Sequence, residues 1–146
     1  MLLLATQITS MPTLNTYVVE DSPELRQSLI TALEELSQVT VVGASEDEAS
    51  AMSWLSGTKH PVDVVITDIF LAAGSGLGVL RGVHALALGC KLVVLTHYAS
   101  ADIQRKCLEL GADQVFDKFN GIDALVTYCD RLAGGNPQTA AQRLPQ

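Results

Sequence analysis

Val62-Asp63-Val64-Val65-Ile66-Thr67-Asp68 (VDVVITD, residues 62–68) is the stretch that decides the fold. Residues 62–67 are mostly apolar and β-branched and too few for a helix, which is how a strand reads when both faces of a parallel sheet are covered. The run stops at an acid, Asp68. Working outward, Leu14–Val19 (LNTYVV), Val39–Ala44, Leu92–Thr96 and Gln114–Asp117 are four further runs of the same kind. Longer amphipathic stretches separate them. Ser22 can cap a helix with Pro23 at its first position, where a missing N–H costs nothing, and Leu25, Leu29, Ala32, Leu33 and Leu36 then recur at helical spacing. Ser45 followed by Glu48 reads as a capping box opening a helix through Leu55, ended by Gly57. Three more helices are expected: Gly76–Leu88 closed by Gly89, Ser100–Leu110 ended by Gly111, and Gly121–Ala133 broken by Gly134-Gly135-Asn136-Pro137. Five strand–helix repeats imply an α/β fold, a doubly wound parallel sheet with helices on both faces.

Composition narrows the classes. The chain of 146 residues suits one domain; 48% hydrophobic and 17% charged residues indicate a packed globule. Its net charge of −7 repels a nucleic-acid backbone, and the basic residues are scattered singly, so no nucleic-acid partner is expected. Cys90, Cys107 and Cys129 lack metal-type spacing and read as reduced thiols in or near the core. The apolar opening Met1–Ala5 is too short to span a bilayer and lacks the layout of a secretory signal, so no membrane partner is expected and the cytoplasm is the expected compartment. Residues 1–13 read as an unpatterned extension whose start is Met1 or Met11, residues 14–133 as the domain, and the polar residues 134–146 as a tail predicted to be disordered.

Sheets of this type place their chemistry beyond the carboxyl ends of the strands. There the chain sets Glu20 and Asp21 after the first strand, Asp68 after the third, Thr96 at the end of the fourth and Lys118 after the fifth. Three carboxylates on one rim repel, and a hard divalent cation such as Mg²⁺ is the natural offset because it takes carboxylate oxygens while keeping waters. Lys118 adds a mobile cation and Thr96 a hydroxyl. Asp68 is then placed as a nucleophile toward a phosphoryl group, a reaction that needs mostly positioning and charge stabilisation. Each residue alone has a bland reading as a turn, cap or solvated charge; their joint arrival at the strand ends is what argues for a site.

The segments VVEDSP, VVITDIF, LVVLTHY and GADQVFDKF, in that order and spacing over about residues 14–133, resemble the receiver domain of bacterial two-component response regulators. The resemblance implies a flavodoxin-like five-stranded sheet in the order 2-1-3-4-5. It implies that Asp68 is phosphorylated, that Asp21 and Asp68 bind Mg²⁺ directly, that Glu20 acts through a bound water, and that the Phe70 carbonyl is a further ligand. Thr96 would hydrogen-bond the phosphoryl group and Lys118 contact it as a point charge. Such a chain is a phosphoacceptor that catalyses its own phosphorylation and dephosphorylation rather than a conventional enzyme. Its expected partners are a histidine kinase or histidine phosphotransfer protein upstream and an unknown protein downstream, in a two-component system or phosphorelay. With no effector segment in view it reads as a stand-alone receiver, with the fourth helix, fifth strand and fifth helix as an expected homodimer face.

The sequence departs from that pattern in places. Ile69–Gly76 (IFLAAGSG) replaces the usual methionine- and proline-containing loop; its glycines lack a GK[ST] ending and read as hinges before a helix rather than a phosphate cradle. His97 stands where a small residue is common. Val115 occupies the usual aromatic switch position, leaving Phe116 or Tyr98 as substitutes, and Phe119 replaces a proline after Lys118. Three other classes compete. A phosphorylation-independent adaptor would keep the fold and signal by docking alone. A nucleotide or flavin domain would need a phosphate cradle where the acidic EDSP stands. An aspartate-based phosphatase wants its nucleophile on the first strand with a second acid two residues later.

Overall fold

The computed structural model describes residues 13–57 and 60–134. The expected extension and tail therefore lie almost wholly outside the described residues. Five strands, β1 (Leu14–Val19), β2 (Val39–Ser45), β3 (Val64–Thr67), β4 (Lys91–Thr96) and β5 (Gln114–Asp117), alternate with five helices, α1 (Pro23–Leu36), α2 (Glu48–Gly57), α3 (Gly76–Leu86), α4 (Ala101–Glu109) and α5 (Ile122–Gly134). All strand pairs are parallel, in the order β2-β1-β3-β4-β5. This is the doubly wound order that the strand–helix alternation and the resemblance imply.

The central strands carry the core because both their faces are covered. On one face Tyr17, Val19, Val65 and Val94 pack with Ala51 and Leu55 of α2, Val79, Leu80 and Val83 of α3, and Cys107 of α4. On the other Val18, Val64, Ile66 and Val93 meet Leu29 and Leu33 of α1 and Leu125 and Cys129 of α5. Tyr17 is the bulkiest residue in this core, stacked on Trp54 with ring centroids 4.5 Å apart. Gly43 of β2 makes room for that stack, since a Cβ there would come within 2.8 Å of the Tyr17 ring and 3.0 Å of Trp54.

Register sets up the rim. Val19 pairs with both Ser45 and Thr67, and Thr96 pairs with Asp117. The residues that follow, Glu20, Asp68 and Lys118, therefore emerge at the same end of the sheet.

Several boundaries differ from the sequence reading. Ser45 belongs to β2 and does not cap α2: its carbonyl accepts from Glu20 N–H, which extends the β1–β2 pairing. The cap is supplied by Asp47, whose Oδ1 accepts from Ser50 N–H at 2.8 Å. Val62 and Asp63 precede β3, because the Asp63 carboxylate accepts from Asn15 N–H at 2.7 Å and holds that turn outside the strand. Helix α3 stops at Leu86, where Ala87 takes the left-handed conformation (φ 53°), two residues before Gly89.

The three cysteines are free thiols, two of them buried. Burial pushes the Cys129 thiol up to about 11, with the Asp130 charge adding to it. A thiol that ionises later in the native chain than in the unfolded one contributes its full stability below the unfolded value and loses it as pH rises through the folded one. The urea midpoint is therefore expected to fall between about pH 9 and pH 11, and to fall less in Cys129→Ala.

Candidate functional site

Glu20 follows β1 directly and is almost fully buried, at 3% exposure. A buried carboxylate must be satisfied, and both of its oxygens are, while the Glu20 backbone carbonyl has a partner as well. Its Oε2 accepts from Ser22 N–H at 3.0 Å, its Oε1 accepts from Lys118 Nζ at 2.5 Å, and its backbone carbonyl accepts from Arg26 Nη1 at 2.7 Å. Asp68, 8% exposed, is tied down in the same way. Its N–H donates to the Val19 carbonyl (3.1 Å), its Oδ1 accepts from Ile69 N–H (2.6 Å), and its Oδ2 accepts from Lys118 Nζ (2.7 Å).

Lys118 is thus shared between two carboxylates. It is placed by β5 pairing, its N–H donating to the Thr96 carbonyl at 2.9 Å, and by the tight turn that follows, in which Asp117 Oδ1 accepts from the N–H groups of Phe119 and Asn120. Burial alone would lower the Lys118 pKa, but the hydrogen bonds and charges of Asp68 and Glu20 outweigh it and hold the ammonium above its ordinary value. The cation stays charged. One positive charge against two negative ones leaves this buried group net acidic.

The sequence reading brought three carboxylates together; the structure joins two of them, with Lys118 between. Among the described residues no three His, Cys, Asp or Glu side chains form a group that could hold an ion. Asp21, half-buried on the neighbouring turn, is outside the Glu20–Lys118–Asp68 contact. Glu20, Asp21 and Asp68 nonetheless offer only oxygen donors, and the surplus negative charge of Glu20 and Asp68 over Lys118 is what a hard cation requires.

Thr96 is fully buried, and its hydroxyl accepts from Tyr98 N–H at 3.2 Å. Of the two candidate substitutes for the aromatic switch, Phe116 faces the other way, packing on Tyr128 of α5 (5.9 Å between centroids), because alternation along β5 sends it to the α1–α5 face of the sheet. Tyr98 is exposed and meets Phe70 edge-on at 5.1 Å. His97, exposed, lies against Phe119 at 4.5 Å. Two ring pairs therefore stand at this end of the sheet, one from the β3–α3 and β4–α4 loops and one from the β4–α4 and β5–α5 loops. Beside them a cleft of about 290 Å³ opens between α1 and α5, lined by Leu25, Leu29, Leu95 and Ile122 with Glu20, His97 and Lys118 at its end. The peptide between Lys118 and Phe119 is trans, as expected without proline.

Two residues at the site escaped the sequence reading. Arg26 caps the Glu20 carbonyl from the first turn of α1, and no motif marks it. Glu48, read as half of a capping box, instead reaches across to the β3–α3 loop, where its Oε1 accepts from Ser75 N–H at 2.9 Å. The only trace of that in the sequence is the spacing of Gly74 and Gly78, whose added Cβ atoms would collide with the Glu48 side chain.

A five-stranded doubly wound sheet with an acid pair and a lysine at the carboxyl rim defines a class of signalling α/β domains. Residues 16–130 match the family model of the response regulator receiver domain, and the chain belongs to that family. Among curated proteins it is 30% identical over 131 residues to the transcriptional regulatory protein KdpE of Mycobacterium tuberculosis, covering 88% of this chain and 54% of that one. It is 31% identical over 101 residues to a cyclic di-GMP phosphodiesterase of Thermotoga maritima, covering 69% of this chain and 26% of that one. The chain thus spans about half or less of the length of these relatives. Among solved structures, the isolated receiver domain of RcsB from Salmonella enterica serovar Typhimurium, in the presence of the phosphomimetic BeF₃⁻, superposes with a TM-score of 0.74 at 22% identity, covering 91% of this chain and 99% of that one. That likeness is one of fold. No helix among the described residues is long and apolar enough to cross a membrane.

Replacing Lys118 leaves two buried carboxylates without their cation, and breaking a buried pair in this way costs about 3–5 kcal/mol. Lys118→Met is expected to lower stability by that order in urea unfolding, and adding Glu20→Gln and Asp68→Asn is expected to restore most of it.

Proposed function

We propose that Asp68 is the phosphoacceptor of a two-component or phosphorelay system. The observation that carries the reading is the geometry of Lys118, whose ammonium bonds both the Asp68 carboxylate and Glu20 while all three are nearly buried. A carboxylate held by one amide and one ammonium has a fixed orientation, and catalysis of phosphoryl transfer is chiefly positioning and charge stabilisation. In the proposed step an Asp68 carboxylate oxygen bonds to phosphorus as the bond from phosphorus to the donor histidine nitrogen breaks. The electron pair stays on that nitrogen, and the imidazole, already protonated on its other ring nitrogen, leaves neutral. Asp68 and Asp21 would hold Mg²⁺ directly, with the Phe70 carbonyl, and Glu20 through water. When bound, the ion neutralises charge on the incoming phosphoryl oxygens.

Lys118 would follow the new charge. Once Asp68 carries a phosphoryl group, the ammonium has a better partner than Glu20. Thr96 must give up Tyr98 N–H, or share its hydroxyl, to donate to a phosphoryl oxygen. That exchange loosens the β4–α4 loop carrying His97 and Tyr98, and so biases the face of α4, β5 and α5. This face would serve a downstream protein or a second copy of the chain; a histidine kinase or histidine phosphotransfer protein would stand upstream. The folded unit is proposed as residues 14–133.

The docking-only alternative draws on one observation, the turning of Phe116 toward Tyr128 and away from Thr96. Incubation with a small phosphodonor and Mg²⁺, followed by intact-mass and peptide analysis, separates the two. A phosphoryl adduct on the wild type that Asp68→Asn abolishes is expected; its absence with every donor and kinase tested favours docking alone.

His97, its ring against Phe119, lines the cleft that reaches Glu20 and Lys118, and in this reading the pair slows the approach of water to the phosphoryl group. His97→Ala is expected to shorten the lifetime of the phosphorylated form by a factor on the order of 2–10, about 0.4–1.4 kcal/mol in barrier. An unchanged decay rate would remove His97 from the account.

A further inference from the structure

The run Gly74-Ser75-Gly76-Leu77-Gly78 resembles a phosphate cradle in its glycines, yet in the folded chain those glycines make room for other parts of the protein. A Cβ on Gly76 would overlap the carbonyl oxygen of Asp68, and one on Gly74 or Gly78 would overlap the Glu48 side chain. Two of the three therefore mark the seat of one residue on a different helix. Glu48 holds that seat by two bonds. Its backbone N–H donates to the Ala73 carbonyl at 3.2 Å, and its Oε1 accepts from Ser75 N–H at 2.9 Å. Its carboxylate also lies at the N-terminus of α3, where the exposed N–H groups favour negative charge.

The grip on Ser75 is passed along the loop. Ser75 forms an antiparallel bridge with Phe70, and Gly76 N–H donates to the Ile69 carbonyl at 2.8 Å, so the loop closes on itself as a miniature hairpin. At the far end of that hairpin, Ile69 N–H donates to Asp68 Oδ1 at 2.6 Å. A chain of contacts thus runs from Glu48 on α2 through Ser75 and its neighbour Gly76 to Ile69, and from Ile69 to the carboxylate of Asp68, with Phe70, whose carbonyl is a proposed donor, held inside the hairpin that these bonds close.

We infer that Glu48 is a positioning residue for Asp68: it anchors the β3–α3 loop from the neighbouring helix and thereby fixes the Asp68 carboxylate and the Phe70 carbonyl for a divalent cation. It touches neither the cation nor the phosphoryl group. The inference rests on the phosphoacceptor reading for its consequence in chemistry, and on the loop geometry alone for its mechanical part. Groups that orient ligands in this way typically alter metal affinity by 10–100-fold when removed.

The test uses the full chain and two variants. Glu48→Ala removes the acceptor, and Glu48→Gln keeps an oxygen able to accept from Ser75 N–H. Amide hydrogen exchange at Ser75 and Ile69 is followed by NMR in metal-free protein, and phosphorylation by acetyl phosphate is followed across a Mg²⁺ titration. Glu48→Ala is expected to speed exchange at both amides by about tenfold or more and to raise the half-saturating Mg²⁺ concentration by at least that factor. Glu48→Gln should remain within about twofold of the wild type in both, which a merely destabilised fold would not produce. Faster exchange at Ser75 with Ile69 unchanged overturns the inference, as does a Mg²⁺ dependence equal to that of the wild type. If the wild type accepts no phosphoryl group, the phosphoacceptor reading fails, and exchange at Ile69 alone then decides whether Glu48 positions Asp68.

Discussion

A single buried ammonium holds this end of the molecule together. Glu20 and Asp68 are pushed below the surface by strand register: each follows a strand whose last residue is fully covered, so neither carboxylate can retreat into water. Two such charges side by side are tolerable only with a cation between them. Lys118 supplies it from β5, three places from Glu20's strand and two from Asp68's in the sheet order. The three residues are 98 and 50 positions from one another along the chain, so the pairing forms only when β1, β3, β4 and β5 are all in register. The site is therefore a product of the whole sheet, and its net negative charge follows from the same arithmetic of two acids and one base.

Much of this was legible in the sequence because it follows from periodicity. A short β-branched run can be recognised without knowing its neighbours, and five of them, three meeting an acid at their end, alternating with amphipathic helices leave few topologies. Glu20, Asp68, Thr96 and Lys118 were found by that route, and the structure places all four at one rim. What was not legible depends on contacts between elements distant in sequence. Ser45-Glu46-Asp47-Glu48 fits a capping box locally, yet the pairing of β1 with Ser45 draws the serine into the strand and leaves Asp47 as the cap. The Glu48 side chain is then free to serve a loop 27 residues away. No local rule contains that information. Likewise Phe116 could replace the missing aromatic only if its side chain shared a face with Thr96, and alternation along β5 sends it toward Tyr128 instead.

The loops divide the labour around this core. The β3–α3 loop is fastened at every turn, by Gly76 against Asp68, by the Phe70–Ser75 bridge and by Glu48. The β4–α4 loop is held within itself and to the start of α4, by the Thr96 hydroxyl on Tyr98 N–H, Ser100 N–H on the Tyr98 carbonyl and the Gln104 side chain on the Ala99 carbonyl, and by ring contacts that are largely exposed. A loop tied to a neighbouring helix beside Asp68, and one tied only to its own helix beside Thr96, suit the proposed device, in which the chemistry stays fixed while the outer face changes. The difference lies in hydrogen bonds already present before any charge is added.

The sharing of Lys118 between Glu20 and Asp68 can be observed directly. Heteronuclear NMR of the lysine side chains at neutral pH is predicted to show one ammonium signal protected from solvent exchange, assigned by its loss in Lys118→Met, with scalar or dipolar connection to the Asp68 carboxyl carbon. A Lys118 ammonium exchanging as fast as those of surface lysines, with no connection to either acid, would contradict the account at its root.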